Sequence, residues 1–204
     1  MTTVRAAVVY YSATGGVYAL AEAASKAAEA AGAEIRLRKV RELAPDAAIA
    51  TNEGWGAHLA ATQHIPEATH DDLLWADVLI FGAPTRFGLP AAQLKQFIDT
   101  TGPLWAQGKL INKIATSFTA TATTHGGQES TILALNNTFY HWGAIIVPPG
   151  YADPIQFAAG NPYGASHVSN NGAIPPGDTE IASVQFQAQR AVTIAKALKA
   201  GLAA

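Results

Sequence analysis

The chain of 204 residues contains no cysteine. That absence excludes disulfides, thiolate catalysis, Fe–S clusters and zinc sites built on sulfur, and it fits a reducing compartment, so a cytoplasmic location is expected. Charge is sparse as well: Asp, Glu, Lys and Arg make up 14% of the residues and leave a net charge of −2. A balance this close to neutral argues against broad electrostatic binding to nucleic acid or to an anionic membrane surface. The basic cluster Arg36, Arg38, Lys39 and Arg41 falls at about every second position and reads as the solvated end of a strand. No run approaches the roughly 18 to 20 apolar residues that span a bilayer, and the N-terminus enters a strand-like segment without a signal-peptide pattern. Gly-Lys-Ser/Thr and Gly-x-Gly-x-x-Gly are both missing, so neither the triphosphatase loop nor the dinucleotide fingerprint is present.

What is there is apolar: 49% of the chain, enough to bury a full core and to exclude disorder. Residues 4–11 suit a strand buried on both faces. The small polar stretch Ser12-Ala13-Thr14-Gly15-Gly16 follows, and residues 17–31 have the composition of a helix stopped by Gly32. Residues 34–40 alternate and predict a second strand. Further strands are predicted at 77–83, 113–118 and 143–148. Helices are predicted from Leu89 or Pro90 to about Thr100 and over 128–140. After a Gly/Pro/Asn-rich loop comes a last helix over 178–199, with Ile181, Val184, Gln185, Ala188, Val192, Ala195 and Leu198 on its packed side. Residues 45–70 show no sustained period and read as a long irregular segment of the functional kind. The expected fold is α/β: a doubly wound, five-stranded parallel sheet with helices on both faces, formed by residues 1–204 as one domain.

Three strand-end loops draw attention. Ser12, Ala13, Thr14, Gly15, Gly16 and Val17 join the first strand to its helix, where unpaired N–H groups and the positive dipole end favour an anion. Hydroxyls and amides without a lysine suit a monophosphate; a plain Ser/Thr N-cap with turn glycines is the alternative. In doubly wound sheets the ligand lies beyond the carboxyl ends of the strands where strand order reverses, which makes the third strand important. It delivers Pro84, Thr85, Arg86 and Phe87, a loop stiffened by prolines that offers backbone groups to the edge of a flat heterocycle. After the fourth strand come Thr119, Ala120, Thr121, Ala122 and Thr123, then Gly126, small and hydroxylated and at the same face. Three such loops converging on one crevice point to a ligand more strongly than any one alone.

The segments Tyr10-Tyr11-Ser12, Phe81-Gly82-Ala83-Pro84-Thr85-Arg86-Phe87-Gly88, Leu104-Trp105-Ala106, Gly126-Gly127-Gln128-Glu129 and Pro162-Tyr163-Gly164-Ala165, in that order, resemble the WrbA family of flavodoxin-like NAD(P)H:quinone oxidoreductases. The resemblance implies FMN, with its phosphate on Ser12 to Val17 and its ring against Pro84 to Phe87 and the 119–126 loop. It implies that His141 approaches the flavin from a neighbouring subunit, and that Trp105 lines the pocket for quinone and NADH or NADPH. It makes residues 45–70 the family's insertion, a support of a homotetramer. The chain departs from the pattern at Thr14, where relatives carry an aromatic, at Gly16, which replaces His or Asn, and in a longer 119–126 loop with Ala122 and His125.

The implied activity is two-electron reduction of quinones by ping-pong hydride transfer, in which the flavin supplies the redox chemistry and no catalytic side chain is required. A one-electron carrier of the flavodoxin type and a non-catalytic regulatory binding protein are the alternatives. Carriers combine a short chain with strong acidity, and a regulator that reads nucleic acid needs a basic face or helix-turn-helix that is not evident here. His58, His64 and His70 recur at six-residue intervals, which does not align them on one helix face, so no metal site is expected.

Overall fold

The computed structural model describes residues 3–202. In chain order the elements are β1 (Val4–Tyr10), α1 (Gly16–Ala30), β2 (Ala33–Lys39), α2 (Asp46–Ile49), α3 (Glu53–Ala61), α4 (His70–Trp75), β3 (Val78–Arg86), β4 (Leu89–Pro90), α5 (Ala92–Asp99), α6 (Gly102–Ala106), β5 (Ile114–Thr121), α7 (Gln128–Trp142), β6 (Ile145–Ile146), α8 (Pro154–Ala159), β7 (Ser166–Val168) and α9 (Asp178–Leu202). Parallel strands lie in the order β2-β1-β3-β5-β6, with β4 antiparallel on β3 and β7 parallel on the outer part of β5. The strand order therefore reverses at β1 and β3, as the flavodoxin-like arrangement requires.

Side chains of the central strands alternate between two cores. Val8, Ile80 and Phe118 face one layer with Leu20, Ala24, Val184, Ala188 and Val192 of α1 and α9. Val9, Leu79 and Phe81 face the other, with Leu94, Leu135, Phe139 and Trp142 of α5 and α7. Strands buried on both faces show no polar alternation, which is why β1 and β3 are continuous apolar runs. Phe81 meets Phe139 and Trp142 edge-on at 5.6 and 5.8 Å, each contact worth about 0.5–1.5 kcal/mol beyond area burial. Gly82 lies beneath the rim because a Cβ there would sit 2.2 Å from the Phe118 ring.

Several expectations need correction. Residues 45–70 are not irregular: α2 and α3 occupy much of the segment, and Asn52 caps α3 by accepting the Trp55 N–H. These helices are too short to show a period. Helix α5 starts at Ala92, because Leu89–Pro90 pairs back on Thr85–Arg86 across a tight turn in which Phe87 (φ 54°) and Gly88 (φ 77°) are both left-handed. The fifth strand shrinks to Ile145–Ile146, and Pro148 and Pro149 follow soon after with no N–H to extend a ladder. The loop before α9 holds α8 and β7. On α9 it is Gln187, not Gln185, that turns inward. Its Nε2 donates to Thr116 Oγ1 at 2.6 Å and to the Ser117 carbonyl at 2.8 Å, while its Oε1 accepts the Ala165 N–H at 2.7 Å. The basic cluster is not simply solvated: Arg36 and Arg38 both pair with buried Asp72 of α4, at 3.1 and 3.0 Å.

Candidate functional site

At the carboxyl rim β1 ends in the turn Ser12 to Gly15. Gly15 is left-handed (φ 96°), as a glycine readily is, and no side chain caps α1. Ser12 Oγ accepts the Gly15 N–H at 3.1 Å and fixes the turn. With no acid in its first turn, α1 presents its positive end to solvent. The β3 loop is pinned to α7 through Thr85 Oγ1 and Thr131 Oγ1, 2.6 Å apart. At the end of β5, Thr119 donates to the Ala83 carbonyl and Thr121 to the Thr123 carbonyl. Gly126 is tolerated where a Cβ would lie 2.9 Å from Thr121 and Thr123, and a Cβ on Gly127 would lie 2.8 Å from Gly88 Cα, so the second and third loops meet glycine against glycine.

The three loops enclose a cleft of about 680 Å³, within the size range of small-ligand sites. Every loop candidate lines it except Gly15, which turns the backbone behind Ser12, and Thr119, which is buried. Among the described residues Arg86 is the one charged side chain on the walls. The site thus recognises its ligand through backbone amides, hydroxyls and a single guanidinium.

The model for the NADPH-dependent FMN reductase family matches residues 9–157 of this sequence. The chain belongs to that family. A protein of Deinococcus radiodurans named NAD(P)H dehydrogenase (quinone) is 46% identical over 192 residues, 94% of this chain and 95% of that one. A protein of the same name from Aromatoleum aromaticum is 42% identical over 206 residues, covering 97% and 98% of the two chains. Among solved structures, a flavodoxin, WrbA-like protein from Agrobacterium tumefaciens superposes with a TM-score of 0.67 at 22% identity, covering 96% of this chain and 99% of that one. Two-electron reduced flavodoxin from Megasphaera elsdenii superposes with a TM-score of 0.58 at 17% identity, over 92% and 98%. Both superpositions agree with the flavodoxin-like strand order.

In this FMN reductase family member, five lining residues escaped sequence reasoning: Asn52 and Trp55 beside α3, and Ser169, Asn171 and Gly172 after β7. The second group had a signal. Ser169-Asn170-Asn171-Gly172 has turn composition, and Asn170, Asn171 and Gly172 are all left-handed (φ 47°, 56° and 89°). Ser169 donates from both N and Oγ to the Thr121 carbonyl, tying this loop to the end of β5. Two imidazoles back the first loop. A Cβ on Gly15 would lie 3.6 Å from His58 Nδ1, and one on Gly16 would lie 3.6 Å from His167 Cδ2. Burial, with Lys39 nearby, holds His58 below the usual histidine range. His167 is buried and bonds the Ile174 carbonyl through Nε2 at 2.8 Å.

His141 and Trp105 are not brought to this cleft. His141 is exposed near the end of α7, roughly 20 Å from the helix start beside the rim at about 1.5 Å per residue. Trp105 lies toward the same amino end of the sheet: the carbonyl of its neighbour Leu104 accepts the Lys109 N–H at 3.0 Å, and Lys109 lines a cavity with Asp77 and Ile114 at the start of β5. Among the described residues no group of three or more His, Asp or Glu is placed to hold a metal, and no helix is long and apolar enough to cross a membrane.

Proposed function

We propose that the protein is an FMN-dependent NAD(P)H:quinone oxidoreductase. The observation that carries this reading is the cleft at the strand-order reversal, floored by an uncapped α1 N-terminus and walled by neutral donors. A phosphomonoester fits there: Ser12, Thr14 and the backbone from Gly15 to Val17 would hold it without a lysine. The hairpin at Pro84 to Phe87 and the 120–126 loop present backbone edges and small side chains suited to a flat ring. Bound in this cleft, the flavin would accept two electrons from NADH or NADPH and return them to a quinone. The chain's own work is then binding, orientation and control of access, with Arg86 as the one cation beside the site. Nicotinamide and quinone using one opening in turn predicts ping-pong kinetics.

His141 and Trp105 enter this function only through another copy of the chain. Trp105, Ile111, Tyr140, His141 and Ile145 are all exposed, and large exposed apolar side chains are what proteins cover on association. We place a homotetramer of one-domain subunits in the cytoplasm, with residues 45–70 as the family insertion and with Trp105 and His141 of one subunit facing the cleft of its neighbour. The absorbance spectrum of purified protein, cofactor extraction and steady-state kinetics with NADH, NADPH and a benzoquinone test the reading. Bound FMN with parallel double-reciprocal lines is expected. A folded protein that stays colourless and does not bind added FMN overturns it. A persistent neutral semiquinone without quinone turnover would instead favour an electron carrier.

A further inference from the structure

Trp55 and Phe87 are the aromatic side chains on the walls of the cleft, and they are held differently. Phe87 stands at the tip of its turn, fully exposed. Trp55 is half-buried on α3, and its indole N–H donates to Glu42 Oε2 at 3.0 Å. The same carboxylate accepts the Tyr11 hydroxyl at 2.9 Å and the Gln93 side-chain amide of α5 at 2.7 Å. It also accepts the N–H groups of Leu43 and Ala44, at 2.8 and 2.9 Å. Five donors from the end of β1, from α3, from α5 and from the loop after β2 therefore converge on one side chain.

Such a hub locks the indole. A tryptophan tethered at its nitrogen keeps little rotamer freedom to lose on binding, so its remaining faces act as a preorganised wall. Trp55 also lines a second cavity of about 210 Å³ that shares Ser12 with the cleft. The hairpin that carries Arg86 lines the same cleft as Trp55. Apart from Phe87 at its exposed turn and the smaller Val17 and Pro84, the walls offer small or polar side chains and backbone edges.

We propose that Trp55 contacts the isoalloxazine ring of FMN and that Glu42 is the positioning residue that sets the plane of the indole. This rests on the cofactor reading above. The test is FMN titration of apo-protein, combined with visible circular dichroism of each protein at saturating FMN. Trp55→Ala should raise the FMN Kd about tenfold and alter the visible dichroism of the bound flavin. Trp55→Phe, which keeps an aromatic face, should stay within about threefold of the parent, and Glu42→Gln should fall between the two. Thermal melts of the apo-proteins confirm that each variant is folded, and Glu42→Gln, which should weaken binding measurably, carries the test if the alanine variant is not. An unchanged Kd, or a weakened Kd with a flavin spectrum identical to that of the parent, overturns the proposal. Failure of the parent itself to bind FMN overturns the cofactor reading instead.

Discussion

At the carboxyl end of the sheet, β1, β3 and β5 run out into loops whose donors face a cleft, whereas at the amino end the polar groups satisfy one another. There Asp77 accepts the Arg5 N–H at 2.9 Å and pairs with Lys199 at 2.7 Å, and the Lys113 ammonium donates to the carbonyls of Leu74 and Ala76. Burial holds Lys113 below the usual lysine range, with Lys199 acting in the same direction and Asp77 opposing it. Among the side chains the amino end leaves to solvent are large apolar ones, Trp105, Ile111 and Tyr140. The contrast teaches a division of labour. Unpaired amides call for a small anionic ligand, and satisfied polar groups around exposed rings call for another protein surface.

The sharpest way to break this comparison is to spoil the anion site without spoiling the fold. A Cβ on Gly16 would meet nothing closer than 3.6 Å, so Gly16→Asp fits sterically and sets a carboxylate where the phosphate would bind. FMN affinity should fall about 100-fold, roughly 2.7 kcal/mol. Apo-protein stability should hold or rise by about 0.3–1 kcal/mol, since an acid at a helix N-terminus is favourable; titration and thermal melting give the two readings. Next in size, Ser12→Ala with Thr14→Ala should weaken FMN about tenfold by fluorescence titration. Unchanged affinity would contradict the phosphate assignment. Trp105→Ala tests the other end: quinone turnover should drop severalfold in steady-state assays while FMN stays bound, and loss of flavin would reassign the residue to the fold. Asp77→Asn should cost about 1 kcal/mol by denaturant unfolding, the range of a partly exposed pair, and leave FMN affinity alone.

The smallest expected effect concerns pH. Burial pushes the Glu42 carboxyl up, but the Ala44 N–H, Gln93, Tyr11 and Trp55 outweigh it and hold it below the usual range. Its folded pKa lies below the unfolded value of about 4.3. Glu42 therefore adds stability above that pH, and the contribution is lost as pH falls through the folded pKa. Apo-protein melts of Glu42→Gln should show a flatter pH dependence below about pH 5 than those of the parent.

The carboxyl rim was largely legible in the chain because its signals are local. A glycine pair before a helix, a proline-flanked hairpin and a run of threonines each announce their backbone geometry within a few residues. Trp55 was not legible. The helix that carries it spans nine residues, and the partner that orients it, Glu42, lies 13 positions away on the other side of α2. The Ser169 to Gly172 loop announced a turn but not its destination, since the β5 carbonyl that anchors it is Thr121, 48 residues earlier. The resemblance assigns Trp105 to the substrate pocket and His141 to the flavin of a neighbouring subunit, and within one chain neither lines the cleft.

Apolar runs, helical stretches and turn glycines were enough to determine a doubly wound sheet with its loops at one rim, because strand burial and backbone freedom are properties of neighbouring residues. Only the tertiary structure decided which distant groups share a wall of the cleft and which side chains turn away from it. Hydrogen bonds such as those to Glu42, Gln187 and Thr121 depend on chain closure over tens of residues, and no local pattern encodes them.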